Sequence, residues 1–179
     1  MVLTLLVVLM LVGPIGAQRL SPHVAPGVPY APLPLRYYGC GLLASLPCLT
    51  ISSGARILER TSSRPTWLFD AAAAGVLVTV ALLSLLGVSA FSAIDPEPLL
   101  RNTAFLAGVG LTASAWAGPA GALIPVAWAA LAAFRRGIPL PLFVLGDEPS
   151  PANWLLSGLA LVLGLAAVAA RQARRTSLP

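Results

Sequence analysis

Glu59 is surrounded by arginine: Arg56 stands three residues before it, Arg60 directly after it and Arg64 five residues on, with Ser63 one helical turn away. Groups of these types support two chemistries. A carboxylate among guanidinium groups makes charge-assisted hydrogen bonds, within one helix or to a partner protein, and the guanidinium groups can pair with phosphate oxygens at a lipid surface. At about 100° per residue, Arg56, Glu59, Arg60, Ser63 and Arg64 fill one arc of a helix, while Ala55, Ile57, Leu58, Thr61 and Ser62 fill the other. The spacing predicts an amphipathic segment over residues 55–65 that can lie along a membrane, with Arg56–Glu59 and Glu59–Ser63 pairs on its surface. Arg64 precedes Pro65, which disfavours helical geometry and turns the chain, and Trp67 marks an interface. The residues alone leave two readings open: a membrane-surface helix whose arginines touch lipid phosphates, or a docking element.

Other chemistries find no support. All 11 basic residues are arginine, so no phosphate-binding G-x-x-x-x-G-K-[ST] loop exists and the chain does not hydrolyse ATP by that motif. His23 is the only histidine and sits in a Pro-rich stretch, where a solvated or lipid-facing side chain is expected rather than a metal ligand. Cys40 and Cys48 are eight residues apart on one predicted helix, about 12 Å along its axis, too far for a disulfide, and read as packing residues. No paired carboxylates fall within an apolar run and no nucleophile stands beside a base, so neither an enzyme nor a cofactor or metal site is expected.

The elements that position these residues are set by composition. Hydrophobic residues make up 58% of the 179 and charged ones 9%, with a mean hydropathy of +0.88, far from the quarter charged that is usual in soluble domains. The expectation is one all-α, polytopic membrane domain over residues 1–179 in the plasma membrane. The net charge of +5 is spread over the ends of apolar runs, which reads as topology signalling rather than nucleic-acid binding. The absence of lysine, with heavy Ala, Leu, Gly and Pro usage, suggests a genome rich in G and C, as in actinobacteria.

A crossing takes roughly 20 apolar residues. Six spans are predicted, at about 2–17, 37–53 (interrupted by Pro47), 68–91, 99–117, 120–134 and 154–170. Residues 22–34 form a Pro-rich extended loop, Asp95 to Pro98 an acidic turn, and Gly118-Pro119 a tight hairpin. The fifth run is short and carries Pro125, so a re-entrant segment is an alternative to a full crossing. With both termini inside, Arg56, Arg60, Arg64, Arg171, Arg174 and Arg175 fall on the inner side, as the positive-inside rule favours. A cleaved signal peptide is the alternative reading of residues 2–17, against which stands the missing basic region ahead of it.

Inside the apolar runs, Ala104, Gly108 and Thr112 repeat every four residues on the fourth span, a small-residue stripe that admits a second helix, either from this chain or as a dimer seam. Asp70, Arg101 and Arg171 are placed near the membrane interfaces, leaving no buried ionisable group for an ion relay.

Leu58-Glu59, three residues, then Ser63-Arg64-Pro65 ahead of a long apolar span resembles the "LE…SRP" signature between the second and third spans of ABC-2 type transporter permeases. The six-span plan with both termini inside is similar, as are the Arg101-Asn102 pair opening a Gly-rich fourth span and the break before the last span. The resemblance implies that residues 55–65 form a coupling helix seated in a groove of a separate ATP-binding cassette subunit, with Glu59 in the contact and Arg56, Arg60 and Arg64 around it. It further implies a permease subunit of an ATP-driven exporter, two such chains forming a homodimer or heterodimer around one path. The short chain, and Asp70 where that family usually places basic residues, fit a second expectation: a non-transporting membrane anchor or accessory protein.

Overall fold

The computed structural model describes residues 19–20, 33–58, 66–92, 95–131 and 150–176. They are helical except for a two-residue antiparallel ladder, β1 (Arg19–Leu20) on β2 (Leu33–Pro34), which leads directly into the first described helix. The helices are α1 (Leu35–Leu58), α2 (Thr66–Ser92), α3 (Pro96–Ala117), α4 (Ile124–Leu131) and α5 (Pro151–Thr176), with a 3-10 turn, Gly118–Leu123, joining α3 to α4. Residues 2–17, predicted as the first span, lie outside the described residues.

Proline placement explains most of the boundaries. Pro96 opens α3 behind Asp95, whose Oδ1 accepts the Glu97 N–H at 3.0 Å. Asp95 to Pro98, read from the sequence as a turn closing the third span, is therefore the cap and first turn of the next helix, where a missing N–H costs nothing. Pro151 opens α5 in the same way, with the Ser150 carbonyl accepting from Asn153 and Trp154 N–H at 3.0 and 3.2 Å. Pro125 is the second residue of α4, so it begins that helix rather than interrupting it. Pro47 lies well inside a helix, yet α1 continues through it. Around it, the Ser45, Cys48 and Thr50 side chains donate to the carbonyls of Leu42, Ala44 and Leu46 of the same helix. The helix also runs through Ala55 to Leu58, so the first residues of the predicted amphipathic segment form the last turn of α1.

The chain reverses at Gly118, whose φ of 64° and ψ of −139° suit only a residue without Cβ. Its N–H still bonds to the Ser114 carbonyl, closing α3, and the 3-10 turn then carries the chain back so that the Pro125 ring lies against Gly110 and the Cys48 thiol.

Two sets of contacts fix helix direction. The Cys40 thiol points at the Leu99 carbonyl (3.8 Å), and Cys48 lies by Gly110, so α1 and α3 run parallel. Glu97 meets Trp154, Gly108 meets Ala160 and Gly164, and Ser114 meets Arg171, so α3 and α5 are parallel too. The α3–α5 approach is made by backbone: a methyl on Gly108 would overlap the Ala160 carbonyl and the Leu161 nitrogen, and one on Gly164 would lie 3.0 Å from Gly108 Cα. Of the Ala104, Gly108, Thr112 stripe, Gly108 meets the α5 backbone, Ala104 is buried and the Thr112 hydroxyl donates to Gly108 O at 2.9 Å.

The core gathers Tyr37, Cys40, Leu43 and Ala44 of α1, Ala74, Val78 and Leu85 of α2, and Leu99, Leu106, Ala107 and Leu111 of α3. α3 is central, with residues from Pro98 to Ala115 buried on several sides. α2 contributes one stripe only; Phe69, Val76, Val80 and Leu83 stay exposed, as do Leu155, Leu159 and Val162 of α5, with Leu155 76% exposed. Three helical stretches, Phe69–Ala90, Pro96–Leu131 and Pro151–Arg171, are long and apolar enough to cross a membrane. Such faces suit acyl chains far better than water.

Gly108→Leu should drive a side chain into the α5 backbone and lower stability by about 3 kcal/mol. Gly158→Leu, at a position open on its outer side, should leave it unchanged. Thermal unfolding in detergent followed by tryptophan fluorescence checks both, and equal midpoints for the two variants would refute the backbone contact.

Candidate functional site

The most buried turn of the bundle is also its most polar. Arg101, Asn102 and Thr103 are each 0% exposed, and Arg101 is the largest fully buried side chain among the described residues. The sequence placed Arg101 at a membrane interface, because it follows the start of an apolar run. The structure adds that its side chain is covered: α3 starts at Pro96, so Arg101 is in the second turn, enclosed by the helices packed around α3. An arginine stays ionised even when buried, and removing it from water costs several kcal/mol unless its surroundings compensate.

A cation is stabilised at a helix C-terminus and destabilised near an N-terminus, where unpaired N–H groups concentrate positive potential. Arg101 lies near the N-terminus of α3, and Arg36, half-buried and 5.5 Å from the Tyr37 ring centroid, is the second residue of α1. Since α1, α3 and α5 are parallel, their N-termini lie at the same end. Two carboxylates partly offset this potential. Asp95 is exposed and used in capping, and Glu97 Oε1 accepts the Trp154 Nε1–H at 3.0 Å.

Asn102 is the clearest anomaly. Neither Nδ2 nor Oδ1 of its buried amide has a hydrogen-bond partner among the described residues. Each such group costs about 1–3 kcal/mol relative to a satisfied one. Three residues along α3, Phe105 packs edge-on against Trp128 of α4 (5.9 Å, 62°), and the buried Trp128 Nε1 also lacks an acceptor there. On the α1 side the Thr103 hydroxyl lies against the Cys40 thiol, within the field of Arg36.

The opposite end of the bundle follows the usual rules. Arg171 Nη1 donates to the Ser114 carbonyl at 2.7 Å, at the C-terminal turn of α3, where a cation completes both the hydrogen bonding and the dipole. Cys40 and Cys48 are buried free thiols. No group of three metal-ligating side chains occurs among the described residues.

The residues singled out by the resemblance are distributed as follows. Arg56 and Leu58 belong to the last turn of α1. Glu59, Arg60, Ser63, Arg64 and Pro65 lie outside the described residues, as does His23. Residues 59–65 connect α1 to α2. Arg101 and Asn102 entered the sequence reading as a minor part of the resemblance, and their burial was missed. The available signal was Asp95-Pro96, a cap followed by a first-turn proline, which starts the helix early enough to carry both residues into the interior.

The chain matches no protein-family model, no curated protein and no solved structure.

Arg171→Met should remove the bond to Ser114 O and destabilise the bundle by about 1.5–3 kcal/mol, read as a lower unfolding midpoint in detergent; an unchanged midpoint would show that the contact contributes nothing. Cys40 and Cys48 should resist maleimide in the folded protein and react after denaturation, and mass spectrometry of the two samples decides it.

Proposed function

We propose that the chain is a multi-pass protein of the plasma membrane acting as the permease subunit of an ATP-driven exporter. A separate ATP-binding cassette subunit hydrolyses the ATP, and a second membrane chain, identical or related, completes the path. The observation that carries the reading is the Leu58-Glu59…Ser63-Arg64-Pro65 string at the junction of α1 and α2, two long apolar helices. The parallel run of α1, α3 and α5 fits the alternation of a six-span plan with both termini inside, in which the second, fourth and sixth spans share a direction.

Continuity of α1 supports a route for coupling. The helix spans 24 residues, about 36 Å at 1.5 Å per residue. Residues 59–65 continue from its C-terminal end, and its N-terminal turns hold Arg36, Tyr37 and Cys40 beside the buried turn of α3. A displacement of Glu59 in an ATPase groove would move α1 as a rod, and the Leu99–Thr103 segment would feel it about ten residues into the bundle's far half.

A second reading, a non-transporting accessory protein, is favoured by the backbone contact of Gly108 with Ala160 and Gly164, which fastens α3 to α5 and resists their separation.

Affinity purification of the tagged protein from its native membrane separates the two. The exporter reading expects an ATP-binding cassette protein with the wild type and its loss from Glu59→Arg, at unchanged membrane levels of the variant. If the wild type brings down no such protein under conditions that preserve a known exporter, the accessory reading takes its place.

A further inference from the structure

Between Trp154 and Arg171, Ser157 is the only polar side chain of α5, and it is fully buried with its hydroxyl donating to Asn153 O at 2.8 Å. The outward face is therefore apolar throughout, with Leu155, Leu159, Val162 and Leu163 each more than half exposed. α3 follows the same rule. Its Arg101, Asn102, Thr103 and Ser114 are buried, and its Thr112 hydroxyl donates to Gly108 O within the helix.

This apolar surface has two marked ends. At one, the exposed Trp154 ring donates from Nε1 to Glu97 Oε1 at 3.0 Å, next to the Asp95 cap. At the other, Trp116 is 78% exposed, two residues beyond Ser114, whose carbonyl accepts from Arg171; Arg174 and Arg175 follow in the last turn of α5. An indole joins an apolar ring to one N–H donor, which suits the level where acyl chains give way to water. Charged groups stand beside both rings.

Helix length gives the separation of the two levels. At about 1.5 Å per residue, α5 rises roughly 26 Å from Trp154 to Arg171 and α3 roughly 28 Å from Glu97 to Trp116. A hydrocarbon layer is about 30 Å thick. The outer face itself is built for lipid more than for another helix: seams between membrane helices favour small residues, and α5 turns Gly164 inward against Gly108 while leucine and valine line its outside.

We propose that the outer face of α5 from Leu155 to Ala170 is a contact surface for lipid acyl chains, with the Trp154–Glu97 and Trp116–Arg171 levels at the two edges of the hydrocarbon layer. The proposal rests on the reading of the chain as a membrane protein and deepens it by fixing the depth of each residue. Arg101 then lies about 6 Å inside one edge, shielded from lipid by the helices around it. A second membrane chain, where one joins, meets a different face.

The test uses the full chain in palmitoyl-oleoyl phosphatidylcholine vesicles. One nitroxide at a time is attached through Ala152→Cys, Leu159→Cys, Val162→Cys or Ala173→Cys, all at exposed positions. Cys40 and Cys48 are buried, so the parent chain should take up little label. Power saturation reads collisions with molecular oxygen, which concentrates among acyl chains, and with a neutral nickel chelate, which stays in water. The oxygen-to-nickel ratio should be about tenfold higher at Leu159 and Val162 than at Ala152 and Ala173.

Low access to both reagents at Leu159 and Val162 would place a second protein chain on this face and overturn the proposal. High access to nickel there would make the face water-lined and overturn it too. An alkaline carbonate wash of the vesicles separates the two levels of claim. Protein released by the wash refutes the membrane reading itself, whereas retained protein with equal ratios at all four positions refutes only the lipid surface.

Discussion

Gly108 and Gly164 let the backbones of α3 and α5 touch, and the arrangement of the remaining helices follows from that approach. In a bilayer, lipid tails are as apolar as leucine, so close packing and polar links hold helices together instead of a hydrophobic drive. Once the two glycines fix the crossing and its parallel sense, Glu97 falls beside Trp154 at one end and the Ser114 carbonyl beside Arg171 at the other. α3 is then enclosed, with α5 on one side and α1 and α4 on others, and any residue in its second turn is buried whatever its chemistry.

That enclosure separates two kinds of polar residue. Thr79, Ser84, Ser89, Thr112 and Ser157 bond to carbonyls three or four residues back, so they cost little wherever they face. Neither Oδ1 nor Nδ2 of the buried Asn102 has a hydrogen-bond partner among the described residues. Arg171, a cation at the C-terminal end of α3, shows the arrangement that stability favours. The unpartnered Asn102 amide has no counterpart in that arrangement among the described residues.

α1 links this turn to the arginine-rich connection that resembles a coupling loop. It is unbroken despite Pro47, and its buried face carries Tyr37, Cys40, Leu43, Ala44 and Cys48 along α3 and α4. Whether residues 59–65 meet an ATPase or only lipid phosphates, a force applied there acts on the helix that abuts Thr103. The proposed partner surface and the buried polar turn are thus opposite ends of one rigid element.

Composition and periodicity pointed to a helical chain with apolar runs long enough to cross a membrane. Long apolar runs with charges at their ends can satisfy backbone groups in a bilayer only as helices, so the helices at 68–91, 99–117 and 154–170 were legible to within a few residues. The Gly118 reversal was legible as well, because Gly-Pro between two apolar runs has few other uses. Proline roles were not: Pro96, Pro125 and Pro151 start helices while Pro47 sits within one, and only the positions of neighbouring caps and donors decide between these uses. The neighbour of Gly108 was equally out of reach, because small residues invite any helix and only the fold brings α5 against it. Burial of Arg101 and Asn102 depended on the same fact. Sequence fixes a residue's depth along its own helix, but whether that depth is lined by lipid, water or other helices is decided by the elements packed around it.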